Sequence, residues 1–249
     1  MIGSALEKAS AFRFRLRLSI GGTRVASMAE TAFSKSLAHT LRHTFGDILD
    51  LPVLEAKKKS SLNAASPAQL LTAYAAEIRY CQNCALHIGR QNLVFARGDW
   101  RARIAFVGDF PSALDDKNGE PFSDESGELL NKMILAMKLK PEESYLTNIY
   151  KCRPPLNQRF EPTYFDSCEK HLQYQFSQVK AGMIIAMGDA AARALARSES
   201  PLPVLRRQTF EWEGRKVLCT WHPRDLLENP AKKKEAWDDL QRALRELDT

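Results

Sequence analysis

The alternation of apolar and polar positions changes character near Pro67. Beyond it, short unbroken apolar runs are separated by amphipathic stretches of helical period. "SPAQLLTAYAAEIRY" places a Ser at the N-cap, a Pro at the first helical position and apolar side chains at helical spacing, which predicts a helix. "RIAFVGD" (103–109), "SYLTNIYKC" (144–152), "AGMIIAMGD" (181–189) and "RKVLCTWHP" (215–223) read as strands. Between and after them, "SGELLNKMILAMKL" (126–139), "AAARALARS" and "AKKKEAWDDLQRALREL" read as helices. Strands that are apolar throughout are buried on both faces. The expectation is therefore a three-layer α/β/α domain with a central, mostly parallel four-stranded sheet. In such sheets chemistry gathers at the carboxyl ends of the strands. All four predicted strands end in polar or special residues: Gly108–Asp109, Asn148, Gly188–Asp189 and His222–Pro223. No internal repeat is visible.

The first 59 residues have a different texture. "FRFRLRLSIGGTRVAS" alternates apolar residues with Arg, and no acid stands between Glu7 and Glu30. This pattern fits a basic arm, an organelle-targeting peptide, or a stretch upstream of a true start at Met28. "EAKKKSSLNAASP" (55–67) reads as a linker. The expected division is an extension and linker over 1–66, poorly ordered or partly helical, and a folded domain over 67–249. Charge follows the same boundary. Ten Lys/Arg face five Asp/Glu in residues 1–59, whereas 26 face 25 over residues 60–249. Any nucleic-acid affinity of the main domain then requires a local basic face and not a bulk field. No apolar run approaches the roughly 18 residues of a membrane span.

Five cysteines, an odd number, with no secretory signal, argue against a disulfide scaffold and for a reducing compartment. Cys81 and Cys84 form a C-x2-C pair. Cys152 follows the second strand, Cys168 lies sixteen positions further on, and Cys219 sits inside an apolar strand as a core thiol. Four thiolates hold zinc or an iron–sulfur cluster, and spacing alone does not choose between them or exclude unligated thiols.

The residues around these cysteines carry a resemblance. "VGDFPSALDDKNGEPFSDESGELL", "YLTNIYKCRPP", the later Cys168 and "TWHPRDLLENPAKKKEAWDDL" occur in that order. Over roughly residues 75–246 the chain closely resembles the family-4, iron–sulfur uracil-DNA glycosylases. The resemblance implies a [4Fe–4S] cluster held by Cys81, Cys84, Cys152 and Cys168. It implies a monomeric, cytoplasmic enzyme (bacterial cytosol or nucleoid) that excises uracil from single- or double-stranded DNA and leaves an abasic site, with no membrane partner. Such an enzyme must extrude its target nucleotide. Phe122 would then stack on the base, Asn148 would read the O4/N3 edge, and His222 would stand at O2. Asp109, in the place of the family's usual Glu, would join Gly108 in binding water or base. Arg153, Arg159, Arg206, Arg207 and Arg224 are phosphate-contact candidates, with Arg153, Arg206 and Arg224 foremost. Leu226 or Leu227 would supply a wedge.

The first motif departs from the family pattern. Phe110 puts a ring where a very small residue stands, Ser112 replaces a glycine, and Ser123–Asp124 adds an acid to a DNA-facing loop. These departures support a second reading: a weak or inactive nucleic-acid-binding relative with a structural iron–sulfur cluster.

Overall fold

The computed structural model describes residues 65–155 and 162–247. The expectations for the extension, for Met28 and for Arg159 lie outside these residues. Strand β1 is Arg97–Gly98, β2 Ile104–Gly108, β3 Tyr145–Asn148, β4 Met183–Met187, β5 Thr209–Trp212 and β6 Arg215–Thr220. They form one sheet in the order β1-β3-β2-β4-β6-β5. The four inner strands are parallel and are the four expected from the sequence.

The sheet nevertheless has six strands, not four, because an antiparallel strand is added at each edge. Strand β1 is only two residues long, too short to show any periodicity. Strand β5 is half-exposed, so it lacks the apolar run that marks its neighbours. It joins β6 through Glu213 and Gly214, both at positive φ (49° and 71°), which is the signature of a two-residue type I′ hairpin.

The helices are α1 Pro67–Glu77, α2 Ala113–Asn118, α3 Glu125–Ala136, α4 Pro162–Gln178, α5 Asp189–Ala196, α6 Leu202–Leu205, α7 Pro223–Glu228 and α8 Lys233–Leu247. Helix α1 starts as the sequence indicates, with the side chain of Ser66 accepting from the Gln69 backbone in a capping box. Alternate strand residues point to opposite faces, and the core divides accordingly. Ala105, Val107, Ile184, Ala186, Val217 and Cys219 pack with Phe165, Leu172 and Phe176 of α4 and with the alanines of α5. Ile104, Phe106, Leu146, Ile185 and Leu218 pack with Leu130 and Ile134 of α3 and with Leu240 and Ala243 of α8. This is the three-layer arrangement. No helix among the described residues is long and apolar enough to cross a membrane.

After β2 the chain crosses to β3 on one side, and after β3 it returns past β2 to β4. The carboxyl ends of β2 and β4 therefore border the crevice where doubly wound sheets take ligands. Phe176, 1% exposed, meets Tyr145 and Trp212 edge-on at centroid distances of 6.2 and 5.5 Å. Phe176→Ala is expected to cost about 3–5 kcal/mol, read as a lower urea midpoint with an unchanged slope.

Candidate active site

Gly108 and Asn148 are register partners at the ends of β2 and β3. A Cβ built on Gly108 would lie 2.5 Å from Asn148 Oδ1, 2.8 Å from Phe122 Cζ and 3.1 Å from His222 Nε2. Three side chains from separate elements thus converge beside Gly108, on a hollow so tight that even a methyl group on residue 108 would collide with them. The Phe122 and His222 rings lie 5.9 Å apart and 23° from parallel. Asn148 and His222 are 1% and 2% exposed, yet Asn148 Oδ1, Asn148 Nδ2 and His222 Nε2 have no hydrogen-bond partner. Leaving a buried polar group unpaired costs roughly 1–3 kcal/mol. Three such atoms around one hollow specify a polar ligand.

Local structure aims each group. His222 is the N-cap of α7, and its Nδ1 accepts from the Arg224 backbone N–H at 3.1 Å. That bond fixes the tautomer, so Nε2 carries the proton and donates into the hollow. Burial lowers the His222 pKa to about 3, the Arg224 charge helps, and Asp124 opposes. Phe122 has φ +58°, a left-handed conformation rare for a bulky residue. It is held there by packing: a Cβ on Gly127 would come within 1.9 Å of the Phe122 carbonyl oxygen, so only glycine fits at that point of α3. Arg97 Nε donates to Pro121 O at 3.0 Å, and Ser123 N donates to Asp115 Oδ1 at 2.6 Å, bracketing the same turn.

Asp109 stands apart from this trio. Its Oδ1 accepts from the Ala191 backbone N–H at 2.7 Å, at the N-terminus of α5. The approach requires Gly188, at φ +98°, where a Cβ would lie 2.4 Å from Asp109 Oδ2. Burial raises the Asp109 pKa to about 7, against the Ala191 bond and Arg224, and Asp225 and Asp189 add to the rise.

Phe110 does not supply any of the three atoms nearest a Cβ on Gly108. Its half-buried ring packs on the α4–α5 side of the core, with the Arg224 guanidinium carbon 5.0 Å from its centroid. Ser112 has φ −72° and caps α2, so no left-handed glycine is required there. Asp124 is not a loose acid on a loop: it caps α3, accepting from the Ser126 and Gly127 backbones. Burial pushes its pKa up, but the bonds from Ser126, Ser112 and Gly127 and the Arg224 charge outweigh that and hold it low.

Among the arginines, Arg206 is a correction. Its Nε donates to Asp239 Oδ2 at 2.9 Å and its Nη1 pairs with Glu235 Oε2 at 2.9 Å, so it holds α8 and is not offered to phosphate. Arg224 is half-buried over the Phe110 ring, with its charge acting on His222 and Asp109, and Arg153 is half-exposed beside Cys152. Leu226 is 2% exposed and belongs to the core; Leu227 is 41% exposed.

Cys81, Cys84, Cys152 and Cys168 line one recess, while Cys219 is a fully buried core thiol. Sequence reasoning missed the groups around this recess. Arg90 Nη1 donates to Cys152 Sγ at 3.1 Å, Asn83 Nδ2 donates to Cys81 Sγ at 3.1 Å, and His171 Nε2 lies 3.4 Å from Cys81 Sγ. Lys151, 1% exposed, also lines it, and burial lowers its pKa to about 7 against the pull of the Cys168 and Cys152 sulfurs. A lysine inside "TNIYKC" was the one available signal. Among the described residues, no three Cys, His, Asp or Glu side chains gather closely enough to share one metal ion.

With this geometry established, the comparisons with known proteins are specific. The family model described as the uracil DNA glycosylase superfamily matches residues 95–241, and the chain belongs to that superfamily. Within it, the chain is similar to the type-4 uracil-DNA glycosylases of Thermotoga maritima (30% identical, covering 70% of this chain and 93% of the relative) and Archaeoglobus fulgidus (31%, covering 67% and 87%). The type-4 enzyme of Pyrobaculum aerophilum is 32% identical, covering 66% and 87%.

The two shifted groups act oppositely on stability. The folded chain keeps His222 neutral, so the unfolded chain binds more protons between about 3 and the ordinary value of 6.5, and stability falls as pH falls through that window. The folded chain keeps a proton on Asp109, so that contribution is lost as pH rises from 3.8 to about 7. In urea unfolding between pH 4.5 and 7.5, His222→Gln is expected to gain stability relative to wild type at the acid end. Asp109→Asn is expected to gain it at the neutral end.

Proposed function

We propose that this chain is a DNA-repair glycosylase that takes an extruded uracil into the Gly108 hollow and hydrolyses its N-glycosidic bond, leaving an abasic site. The carrying observation is the set of three unpaired, buried polar atoms on Asn148 and His222. Uracil offers an N3–H donor and an O4 acceptor side by side, and one carboxamide answers both. Cytosine's amino group and bare N3 present the reverse pattern. Phe122 provides the stacking face. As the C1′–N1 bond breaks, its electron pair moves onto the base, and the charge spreads to O2. A neutral His222 donating from Nε2 stabilises that anion as an oxyanion-hole donor does. Asp109, with a pKa near 7, is suited to orient a water and accept its proton as the oxygen adds to C1′. The water's other hydrogen stays on the new C1′ hydroxyl, and the departing base is finally protonated from solvent.

The four cysteines fit an iron–sulfur cluster better than a zinc ion. Among the described residues no three of these groups gather closely enough to share a single ion, as a zinc site would need, whereas four thiolates around one recess would suit a larger iron–sulfur group. Cys81, Cys84, Cys152 and Cys168 would hold a [4Fe–4S] group, whose contribution is to pin the 81–84 loop, the end of β3 and α4 together. Arg224 and Arg153 would position phosphates, Leu227 would enter the vacated stack, and one chain supplies every group named. The reading places the chain in the cytoplasm, where thiolate sites stay reduced.

Uracil release from a deoxyuridine oligonucleotide is expected to fall about 10²–10³-fold in His222→Ala, the scale of a lost oxyanion donor, and comparably in Asn148→Ala, with cooperative unfolding kept. Wild-type rates in either variant would end this reading. Gly108→Ala is expected to abolish release by filling the hollow. The wild-type rate should rise with pH, reach half its maximum near 7 and level off above it, and Asp109→Asn should remove that dependence. Because the Phe110 ring packs on the α4–α5 side of the core and under Arg224, Phe110→Ala should change release less than about tenfold; recovery of activity from an inactive wild type would instead favour the non-catalytic reading.

A further inference from the structure

Lys151 is a fully buried lysine with no carboxylate partner among the described residues; only the Cys168 and Cys152 sulfurs act on its charge. Burying an unpaired ammonium costs several kcal/mol, so its position requires a compensating anion. Its Nζ donates to Thr147 Oγ1 at 2.7 Å and to the Asn148 backbone oxygen at 2.7 Å. These acceptors fix its direction but carry no net charge. On the other side it borders the recess of the four cysteines, with the Cys168 and Cys152 sulfurs as its principal electrostatic partners. Its own backbone N–H bonds Cys168 as well. Four thiolates outnumber the positive charge of either a divalent zinc or a [4Fe–4S] core, so an occupied recess is anionic.

We propose that Lys151 is a positioning residue joining the cysteine site to the base reader: its ammonium neutralises the thiolate-bound group, and its hydrogen bond to Asn148 O holds the base-reading amide at the end of β3. The inference rests on reading Asn148 as the uracil reader and the four cysteines as one metal-binding site. It gives the short path between them, Asn148 to Cys152, a defined physical content. The Lys151 side chain spans the gap directly, bonded to Thr147 Oγ1 and Asn148 O on one side and bordering the cysteine recess on the other.

The test uses the full chain reconstituted anaerobically with iron and sulfide, as wild type, Lys151→Met and Lys151→Arg. Three quantities are read: the half-life of the visible absorbance under EDTA, the midpoint potential of the cluster, and kcat/KM on a deoxyuridine oligonucleotide. Removing a cation beside the cluster disfavours adding an electron, so Lys151→Met should shift the midpoint negative. It should also shorten the EDTA half-life and lower kcat/KM, each by about tenfold, as for other partners of metal ligands. Lys151→Arg keeps the charge, but its larger planar guanidinium does not reproduce the compact ammonium bonded to both Thr147 Oγ1 and Asn148 O, so it should restore the midpoint and half-life without restoring kcat/KM. A wild-type midpoint and half-life in Lys151→Met would overturn the charge role, and a wild-type kcat/KM would overturn the positioning role. Should Lys151→Met not fold, Lys151→Gln carries the same comparison, keeping a donor without the charge. A wild-type chain that took up zinc without sulfide would defeat the cluster reading, and the rate of zinc loss to EDTA in the same variants would then decide the charge role. A wild-type chain that left deoxyuridine intact would defeat the uracil reading while the metal readouts still decided Lys151.

Discussion

The absence of one side chain organises this site. Gly108 ends a strand whose other residues are fully buried, and any side chain there would collide with Asn148, Phe122 and His222. Asn148, Phe122 and His222 come from the end of β3, the turn before α3 and the start of α7, and each is held by backbone contacts that do not consume its ligand-facing atoms. The unpaired amide and imidazole N–H are a standing cost that a polar ligand would offset. Much of the surrounding detail preserves that arrangement: the cap that fixes the imidazole tautomer, the glycine beneath the Phe122 carbonyl, and the low pKa of His222.

Electrostatics divides the labour among groups a short distance apart. Burial keeps the imidazole neutral, so it donates without carrying a full charge that would bind any anion. Burial also lifts the Asp109 carboxyl toward neutrality, where a group exchanges a proton most readily near physiological pH. Arg224 lies among Asp109, Asp124 and His222 and stacks on Phe110, so the altered first motif and the site's cation are physically linked. The ring that looks like an obstruction in the sequence serves in the structure as a platform for that arginine.

Much of this was legible in the sequence because burial on two faces leaves unbroken apolar runs. The four parallel strands, their polar ends and the convergence of Phe122, Asn148 and His222 followed from such runs and from motif resemblance. The edge strands did not. Two residues of β1 carry no period, and β5 is half wet, so only the Glu-Gly turn before Arg215 marked it. Arg206 was misjudged because sequence shows a charge without its partners, and Asp239 and Glu235 lie some thirty positions away. Arg90 and Lys151 escaped notice for the converse reason, since their significance comes from sulfurs brought near by folding. Ser112 and Asp124 looked like departures at a binding loop and are helix caps, a role that their residue types favour.

The rims of the sheet have a consequence for life at high protein concentration. A parallel core of this hydrophobicity, left with an open ladder, would recruit strands from neighbouring molecules. Here one border is only two residues wide, and the other is a hairpin arm bearing Thr209 and Glu211 toward solvent. Each offers a stranger too little continuous backbone to zip onto, so the same short borders that escape sequence periodicity also guard the fold against fibrous self-association.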